Sequence, residues 1–502
     1  MSNQSAATSV DVRSEHAEPA RRPSRSAAQA TPEGQRGSAS AATNVDVIVI
    51  GGGPAGENVA GRCADGGLSV LLVEKELVGG ECSYCGCIPS KTLLRPGDVI
   101  AAAKRVPGAA EVVTAAIDVT AALAQRDYMT SDWDDSGALS WLASEGIQLA
   151  RGTARLAGER AVEVDAGDGE LVRLTAAKAV VLATGTGAVI PPIPGLRDAR
   201  PWDNRSVTSA KEIPKRLLVL GGGAVGAEMA QAFRRLGADE VTVVEAAERL
   251  LPNEEPFAGE EVKAAFEAEG MTVITGVKLT GAHRAGADGP VTGTLADGRT
   301  ITADEILVAV GRRPSTADLG LDTVGLAPGK FVEVDDQLRA TGVAGGWLYA
   351  VGDCNGRALL THMGKYQARL AGDVILGKSG VAATAPVPRV TFTDPQVCAV
   401  GLTEAQARAK GIDVRAVTTP TGEVAGASTM GNGIAGTSQL VVDQARRVVV
   451  GATFTGPGIA ELLHSATIAI VGEVPLDRLW HAVPSFPTLS EVWLRLLETY
   501  GL

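Results

Sequence analysis

Residues 79–91, GGECSYCGCIPSK, place three of the six cysteines of the chain within six residues. On a regular helix, the Cα atoms of Cys82 and Cys87 would be roughly 8.5 Å apart, beyond the roughly 4.4–6.8 Å that a disulfide accepts. Cys82 and Cys85 would be roughly 5 Å apart, so regular helical geometry favours that pair. A bridge between Cys82 and Cys87 needs a distorted turn, which Gly86 would allow. The spacing alone leaves both pairs open.

The same segment resembles the redox-active disulfide of the pyridine nucleotide-disulfide oxidoreductase flavoproteins, in which two cysteines separated by four residues precede Ile-Pro-Ser-Lys at the start of a helix. Cys82, Cys87 and residues 88–91 match this motif position by position. The resemblance implies that Cys82 is the exposed thiol that meets the electron acceptor and that Cys87 stacks on the flavin. Cys85 has no counterpart in the motif, and we interpret it as a packing residue, with a third redox thiol as the alternative.

Composition limits the partners of the chain. A length of 502 residues suggests three or four domains, and a net charge of −12 argues against nucleic acid or an anionic membrane as the main partner. Six unevenly spaced cysteines do not form a disulfide framework, which favours a cytoplasmic location. No apolar run reaches the ~18 residues needed to cross a bilayer. Residues 1–44 are predicted to be a disordered tail, and we predict no metal site.

Two stretches repeat a pattern of strand, glycine turn, helix and strand. Each contains GxGxxG and an acidic residue about twenty positions further on: Gly51, Gly53, Gly56 and Glu74 in the first, and Gly221, Gly223, Gly226 and Glu245 in the second. The first glycine permits the turn, the second lets the backbone approach a pyrophosphate, the third packs helix against strand, and the acid holds a ribose hydroxyl. Two such folds, with a cysteine pair after the first, indicate FAD in one and NAD(H) in the other.

The resemblance covers nearly all of the chain after the tail. It implies an α/β fold with two dinucleotide-binding (Rossmann-like) domains and a C-terminal α+β dimerisation domain that joins a homodimer. The FAD-binding domain is expected to be discontinuous, at residues 45–200 and 331–385. The NAD-binding domain is expected at 201–330, and the interface domain at 386–502.

Other residues match positions that contact the cofactors in the family: Thr184, Gly185, Gly311, Gly352 and Asp353. By this resemblance Asp353 binds the ribityl chain of the flavin. His362 is predicted to begin a helix whose N-terminus points at the flavin ring and stabilises negative charge there. Two interpretations of the His362 side chain stay open. In one it has a chemical role, and in the other only the helix N-terminus acts.

Lys91 follows Cys87 by one helical turn, so its ammonium group can lie beside the same face of the flavin. In the family this lysine pairs with a glutamate of the nicotinamide domain, and Glu228 matches that glutamate. The resemblance implies that the pair lies near the flavin nitrogen that receives hydride and connects the two cofactor domains electrostatically.

The segment HAVPSFPTLSEVW departs from the family pattern. Dihydrolipoamide dehydrogenases and glutathione reductases carry a His-Pro-Thr run with a glutamate five residues after the histidine, which is the general acid/base for the interchange thiol of the other subunit. The Pro-Thr run and Glu491 match, but Phe486 occupies the histidine position and cannot carry a proton. His481 is the candidate substitute base. Without its partner, Glu491 is expected simply in the first turn of the last helix, where a carboxylate is favoured.

These features imply an FAD-dependent NADH oxidoreductase, most similar to dihydrolipoamide dehydrogenase, which passes electrons through Cys82 and Cys87 to a small-molecule disulfide or quinone. Glu245 disfavours glutathione reductase, and the C-terminal TYGL, without the cysteine pair of mercuric reductases, disfavours that activity. One alternative is an NADH:quinone or dye reductase, or a soluble-transhydrogenase-like flavoprotein, with little lipoamide activity. An alternative of another class is a non-catalytic assembly subunit.

Overall fold

The structure is a computed structural model that describes residues 44–167, 169–382 and 386–502. The predicted tail therefore lies outside the described residues except for Asn44, which is the first residue of the first strand. The elements up to the end of the first fold are β1 (Asn44–Ile50), α1 (Pro54–Asp65), β2 (Val70–Glu74), α2 (Gly80–Tyr84), α3 (Cys87–Arg105), α4 (Val119–Met129), α5 (Ser136–Ser144), β3 (Gln148–Arg151), β4 (Thr153–Leu156), β5 (Ala161–Asp165), β6 (Leu171–Leu182) and β7 (Thr186–Ala188).

The second fold repeats the strand, helix, strand order of the first. Its elements are α6 (Asn204–Thr208), β8 (Arg216–Leu220), α7 (Ala224–Arg235), β9 (Glu240–Val244), α8 (Pro256–Ala268), β10 (Thr272–Ile274), β11 (Leu279–Arg284), β12 (Val291–Leu295), β13 (Thr300–Ala303) and β14 (Glu305–Val308). The next strand, β15 (Arg312–Pro314), pairs in antiparallel with β7 of the first fold. The strands β10-β9-β8-β14 form a parallel sheet, and β11-β12-β13 form a small antiparallel one. The apolar runs of β1 and β8 are buried as expected for parallel strands covered on both faces.

After the second fold the chain returns to the first sheet. The next elements are β16 (Leu348–Ala350) and α9 (Thr361–Ile375). The strand β16 pairs in parallel with the end of β6, with Leu348 opposite Val180, beside the strand order β3-β2-β1-β6-β5-β4. The first sheet is thus assembled from two separate parts of the chain, and α9 packs on α1.

The C-terminal part has its own sheet and core. Its elements are β17 (Arg389–Thr391), β18 (Gln396–Gly401), α10 (Glu404–Ala409), β19 (Val414–Pro420), α11 (Ala425–Ser428), β20 (Thr437–Asp443), β21 (Val448–Gly456), α12 (Leu463–Val471), α13 (Leu476–Leu479) and α14 (Glu491–Tyr500). The sheet is antiparallel in the order β17-β18-β21-β20-β19. Phe454 of the sheet packs on Trp493 of α14, with ring centroids 6.2 Å apart. The predicted fold class is confirmed.

Large apolar side chains are exposed near the C-terminus, among them Ile468, Val471, Trp480, Val483 and Phe486. Within the described ranges, no helix combines the length and the apolar character that a membrane span requires.

Candidate active site

The turn between α2 and α3 brings Cys82 and Cys87 into contact. The helix α2 ends at Tyr84, and α3 starts at Cys87 after Gly86, whose φ of −130° and ψ of −106° are not helical. Each thiol shifts the pKa of the other, so the two side chains lie close together. The distorted turn that this pair needs is therefore present. The break lies after Cys85, whose N–H still donates to the carbonyl oxygen of Glu81, so a regular helix does not separate Cys82 from Cys87 while the helical spacing of Cys82 and Cys85 is kept.

Cys87 is the more acidic thiol of the pair. The hydrogen bond from Cys82 lowers the pKa of Cys87 to about 6, and although burial opposes this, Thr361 and the charge of Lys91 add to it. The hydroxyl of Thr361 lies 3.3 Å from the Sγ of Cys87. The pKa of Cys82 is raised, because Cys82 is hydrogen-bonded to Cys87 and partly buried. At neutral pH the reduced pair therefore consists of a thiolate at Cys87 and a thiol at Cys82.

Cys85 lies in the same turn. Its carbonyl oxygen accepts hydrogen bonds from the Thr208 hydroxyl at 3.2 Å and from Nδ2 of Asn204 at 3.4 Å, so its backbone attaches the turn to α6. Burial raises the pKa of its thiol. The pKa of Cys82 is raised as well, so this shift does not separate the two thiols, and the packing role of Cys85 stays a prediction.

The helix α9 begins at Thr361, one residue before the predicted start at His362. The imidazole Nε2 of His362 lies 2.9 Å from the carbonyl oxygen of Pro388, on the exposed side, whereas Thr361 contacts Cys87. Thr361 was missed by the sequence analysis. A threonine at a helix start is common enough that only the fold shows it beside the cysteines.

Lys91 and Glu228 form the ion pair that the resemblance implies. The Nζ of Lys91 lies 2.7 Å from Oε2 of Glu228, which is only 4% exposed. The other oxygen, Oε1, accepts a hydrogen bond from the backbone N–H of Phe392 at 2.9 Å. The pair connects α3 of the first fold to α7 of the second.

The two glycine turns are built in the same way. Gly51 and Gly221 have φ near +105° (105° and 106°), where a glycine is favoured. In each fold a Cβ on the third glycine, Gly56 or Gly226, would lie 1.9 Å from the carbonyl oxygen of the first glycine. Only glycine allows this contact between turn and helix, as the motif requires.

The two acidic residues also repeat one geometry. Oε2 of Glu74 accepts from the N–H of Gly52, and Oε2 of Glu245 from that of Gly222, each at 2.6 Å. The Oε1 atoms accept from the amides two residues further along the chain, each at 2.7 Å. A carboxylate has about four lone-pair sites, so each still has acceptor capacity for a ribose hydroxyl.

Gly185 and Gly311, two glycines that were predicted to contact the cofactors, also occupy equivalent places in the two folds. A Cβ on Gly51 would lie 2.5 Å from the carbonyl oxygen of Ala183, and one on Gly221 would lie 2.5 Å from that of Ala309. Gly185 and Gly311 each follow two residues after these alanines. Gly311 thus holds the place in the second fold that Gly185 holds in the first.

A cavity of about 750 Å³ runs along the first fold to α2, which carries Cys82. Its wall contains Cys82 and Cys85, but not Cys87, together with seven of the predicted cofactor residues: Gly51, Gly53, Glu74, Thr184, Gly185, Gly352 and Asp353. The buried hydroxyl of Thr184 has no hydrogen-bond partner among the described residues. The volume, the glycine-lined wall and this free hydroxyl fit a bound dinucleotide whose far end reaches Cys82.

Asp353 lies in the 3₁₀ turn Gly352–Asn355, and Nε of Arg312 lies 3.9 Å from its Oδ2. Burial raises the pKa of Asp353, although a 2.7 Å hydrogen bond from the Thr186 hydroxyl and the charge of Arg312 oppose the rise. The guanidinium group of Arg312 binds Glu81, the residue before Cys82, and also Thr186. Arg312 was missed by the sequence analysis, although it directly follows Gly311.

The C-terminal candidates differ in exposure: Glu491 is buried, whereas His481 and Phe486 are exposed. Glu491 is the first residue of α14, in the first turn as expected, and its Oε2 accepts from the N–H of Gly426 at 3.0 Å. His481 is exposed in the turn after α13. Phe486 is 76% exposed, so its ring is available to another molecule or subunit.

Known proteins resemble this chain over most of its length. Residues 45–368 match the family model described as pyridine nucleotide-disulphide oxidoreductase, and residues 387–496 match the dimerisation domain of that family. The chain is 35% identical to a dihydrolipoyl dehydrogenase of Thermus scotoductus over 460 residues, which are 90% of this chain and 96% of that protein. It is 30% identical to a mercuric reductase of Staphylococcus aureus over 451 residues, which are 89% of this chain and 80% of that protein.

Among solved structures, the Cu(II) complex of the HOCl-induced flavoprotein disulfide reductase RclA from Escherichia coli matches with a TM-score of 0.80 at 25% identity. The match covers 91% of this chain and 99% of that one.

Proposed function

Since the chain belongs to the pyridine nucleotide-disulphide oxidoreductase family of FAD- and NAD(H)-dependent enzymes, we propose that it carries electrons from NADH through FAD and the pair Cys82 and Cys87 to a small-molecule acceptor. Family membership confirms the predictions of a flavoprotein disulfide oxidoreductase and of its two cofactors. The match to the dimerisation domain supports a homodimer. A cytoplasmic location is part of the proposal, supported by the sparse cysteines.

The observation that carries the proposal is the break at Gly86, which lies between Cys82 in the wall of the glycine-lined cavity and Cys87 at the start of α3. FAD, when bound, supplies two-electron exchange between nicotinamide and thiols. We assign Glu74 to a ribose hydroxyl and Asp353 to the ribityl chain. Two electrons and one proton break the S–S bond and give the Cys82 thiol and the Cys87 thiolate, the forms that the pKa values of the two groups favour.

An anaerobic titration with NADH, combined with counting of free thiols, tests this proposal. The first equivalent per chain is expected to expose two new thiols, and the second to bleach the flavin. Bleaching by the first equivalent without new thiols would contradict a redox-active disulfide. No reaction with NADH would favour the non-catalytic assembly subunit.

The preference for NADH over NADPH is expected to depend on Glu245. Its carboxylate can accept a bond from the ribose 2′-hydroxyl and repels a 2′-phosphate. Glu245→Gln should reduce the NADH:NADPH ratio of kcat/KM by about 10- to 100-fold, the range for a hydrogen bond to a charged group. Glu74→Gln makes the matched change in the other fold and should leave this ratio unchanged. Higher efficiency with NADPH in the wild-type enzyme would refute the assignment.

The pH dependence of the reduced enzyme should follow Cys87. Because its pKa is lowered to about 6, the thiolate should form as the pH rises through about 6 and be lost below it. Long-wavelength absorbance of the two-electron-reduced enzyme, recorded against pH, measures this. Thr361→Val removes a hydroxyl that lowers this pKa, so its midpoint should be higher. A wild-type midpoint near 8.5, the value for a free cysteine, would contradict the proposed environment.

We propose quinones or metal ions, with little lipoamide turnover, as the second candidate for the acceptor. The observation that favours it is Phe486, an exposed ring at the position of the family's proton-carrying histidine. An acceptor without a thiol leaving group needs no general acid there. The relatives named for mercuric reduction and for a Cu(II) complex support the inclusion of metal ions in an acceptor screen.

A further inference from the structure

Both members of the Lys91–Glu228 pair contact one residue of the C-terminal sheet region, Phe392. The Nζ of Lys91 lies 4.9 Å from the centroid of the Phe392 ring, and the backbone N–H of Phe392 donates to Oε1 of Glu228 at 2.9 Å. The ring therefore contacts the cation while the amide contacts the anion. We propose that Phe392 is a positioning residue that fixes the Lys91–Glu228 pair, and this inference rests on the function proposed above.

The two contacts restrict different motions. A buried carboxylate needs partners for its oxygens, so the Phe392 amide keeps Glu228 from rotating away from Lys91. Lys91 is partly exposed, and its flexible stem has several staggered conformations. An aromatic face near the ammonium group favours the conformation that stays over the ring. The orientations of the Lys91 ammonium group and of the Glu228 carboxylate thus depend on the position of Phe392.

Phe392 is itself held by a network that involves Asp394 and Gln231. The N–H of Asp394 donates to Oε1 of Gln231 at 2.7 Å, and Nε2 of Gln231 donates back to the carbonyl oxygen of Asp394 at 3.0 Å. The Asp394 carboxylate binds Arg235 at 2.8 Å and Arg105 at 2.6 Å. Buried polar groups with this many partners define one arrangement of the backbone.

The partners of Asp394 lie on α3 and α7, the two helices that carry Lys91 and Glu228. Gln231 and Arg235 follow Glu228 by three and seven residues on α7, so the three share one face of that helix. Arg105 is the last residue of α3, the helix that begins with Cys87 and contains Lys91. Residues 392–394 therefore fix α3 and α7 relative to each other at the place where the two dinucleotide folds meet.

Phe392→Leu tests the ring without removing the amide. We expect a more negative flavin midpoint potential, because the ammonium group of Lys91, which the family resemblance places near the flavin, is less confined in this variant. Reduction of the flavin by NADH should slow by about three- to thirtyfold, the range for loss of one cation–π contact. Phe392→Tyr keeps the ring and should match the wild type in both measurements. Phe331→Leu, at another partly exposed phenylalanine, is the control and should also match it.

The potential is measured by reduction with dithionite against a reference dye, and the rate by stopped-flow absorbance. Gln231→Leu removes the side chain that binds the backbone of Asp394, without changing Lys91 or Glu228. A more negative flavin potential in this variant would support the role of Phe392 as a positioning residue. A wild-type potential and rate in Phe392→Leu would overturn the inference. If NADH does not reduce the flavin of the wild-type protein, the proposed function is overturned instead. The flavin potential measured with dithionite would still decide the role of Phe392.

Discussion

Cys82→Ser is expected to abolish electron transfer to disulfide acceptors while NADH still reduces the flavin. Serine cannot form an S–S bond, so turnover with a disulfide should fall to the uncatalysed background. Cys87 should remain a thiolate beside oxidised flavin, because the introduced hydroxyl can still donate a hydrogen bond, and a long-wavelength absorbance should appear. Cys82→Ala lacks that donor, and in it the pKa of Cys87 should rise, since the hydrogen bond from Cys82 is the main cause of its lowering.

The matched control is Cys85→Ser, which should keep both the disulfide and the two-step reduction by NADH. Absorbance spectra and thiol counts of the three variants, recorded under the same anaerobic conditions, separate the assignments. If Cys85→Ser removed the disulfide while Cys82→Ser did not produce the thiolate band, the redox pair would be Cys82 and Cys85. The contact between Cys82 and Cys87 would then describe the reduced form alone.

Phe486→His is expected to raise the turnover of dihydrolipoamide by up to about 10²–10⁴-fold, the contribution of a positioned general acid/base. The dithiol must lose protons near neutral pH, and phenylalanine cannot accept them. Glu491 lies five residues further on with Oε2 bound to the N–H of Gly426, and the carboxylate keeps acceptor capacity with which to orient an introduced imidazole. Steady-state rates with lipoamide and with a quinone, on wild type and variant, measure the effect.

Reduction of a quinone should be unchanged in Phe486→His, because hydride transfer from NADH asks nothing of that side chain. Phe486→Leu is the matched control, since it changes the ring without adding a base. A wild-type enzyme that turns over lipoamide as fast as quinone, and loses only this activity in His481→Ala, would show that His481 serves as the base. The protein would then act as a dihydrolipoamide dehydrogenase.

The parts of the site that depend on local backbone could be predicted from the sequence. The glycine turns and the carboxylates of Glu74 and Glu245 follow from spacing, because a strand, a tight turn and a helix fix their places. The contact between Cys82 and Cys87 was different. Regular helical geometry favoured another pair, and only the resemblance pointed to it, since the break at Gly86 is not visible in helical periodicity.

The parts that depend on distant segments could not be predicted. Thr361 reaches Cys87 across 274 positions of the chain, and Phe392 reaches Glu228 across 164. Arg312 contacts Thr186, which lies 126 positions earlier. Nothing local distinguishes a threonine, a phenylalanine or an arginine of this kind from its many equivalents elsewhere. Their roles arise only when the two folds and the C-terminal sheet pack together.

The pairing of β16 with β6 has a consequence for the order in which the protein is made. Residues 180–182 of β6 have their partner strand at residues 348–350, beyond the whole second fold. As the polypeptide leaves the ribosome, that end of β6 presents an open edge until the second fold has been synthesised, and open edges favour pairing with other chains. The second fold is continuous and can close first. We therefore expect nascent chains released before residue 348 to aggregate through the first sheet, and chains released after α9 to remain dispersed.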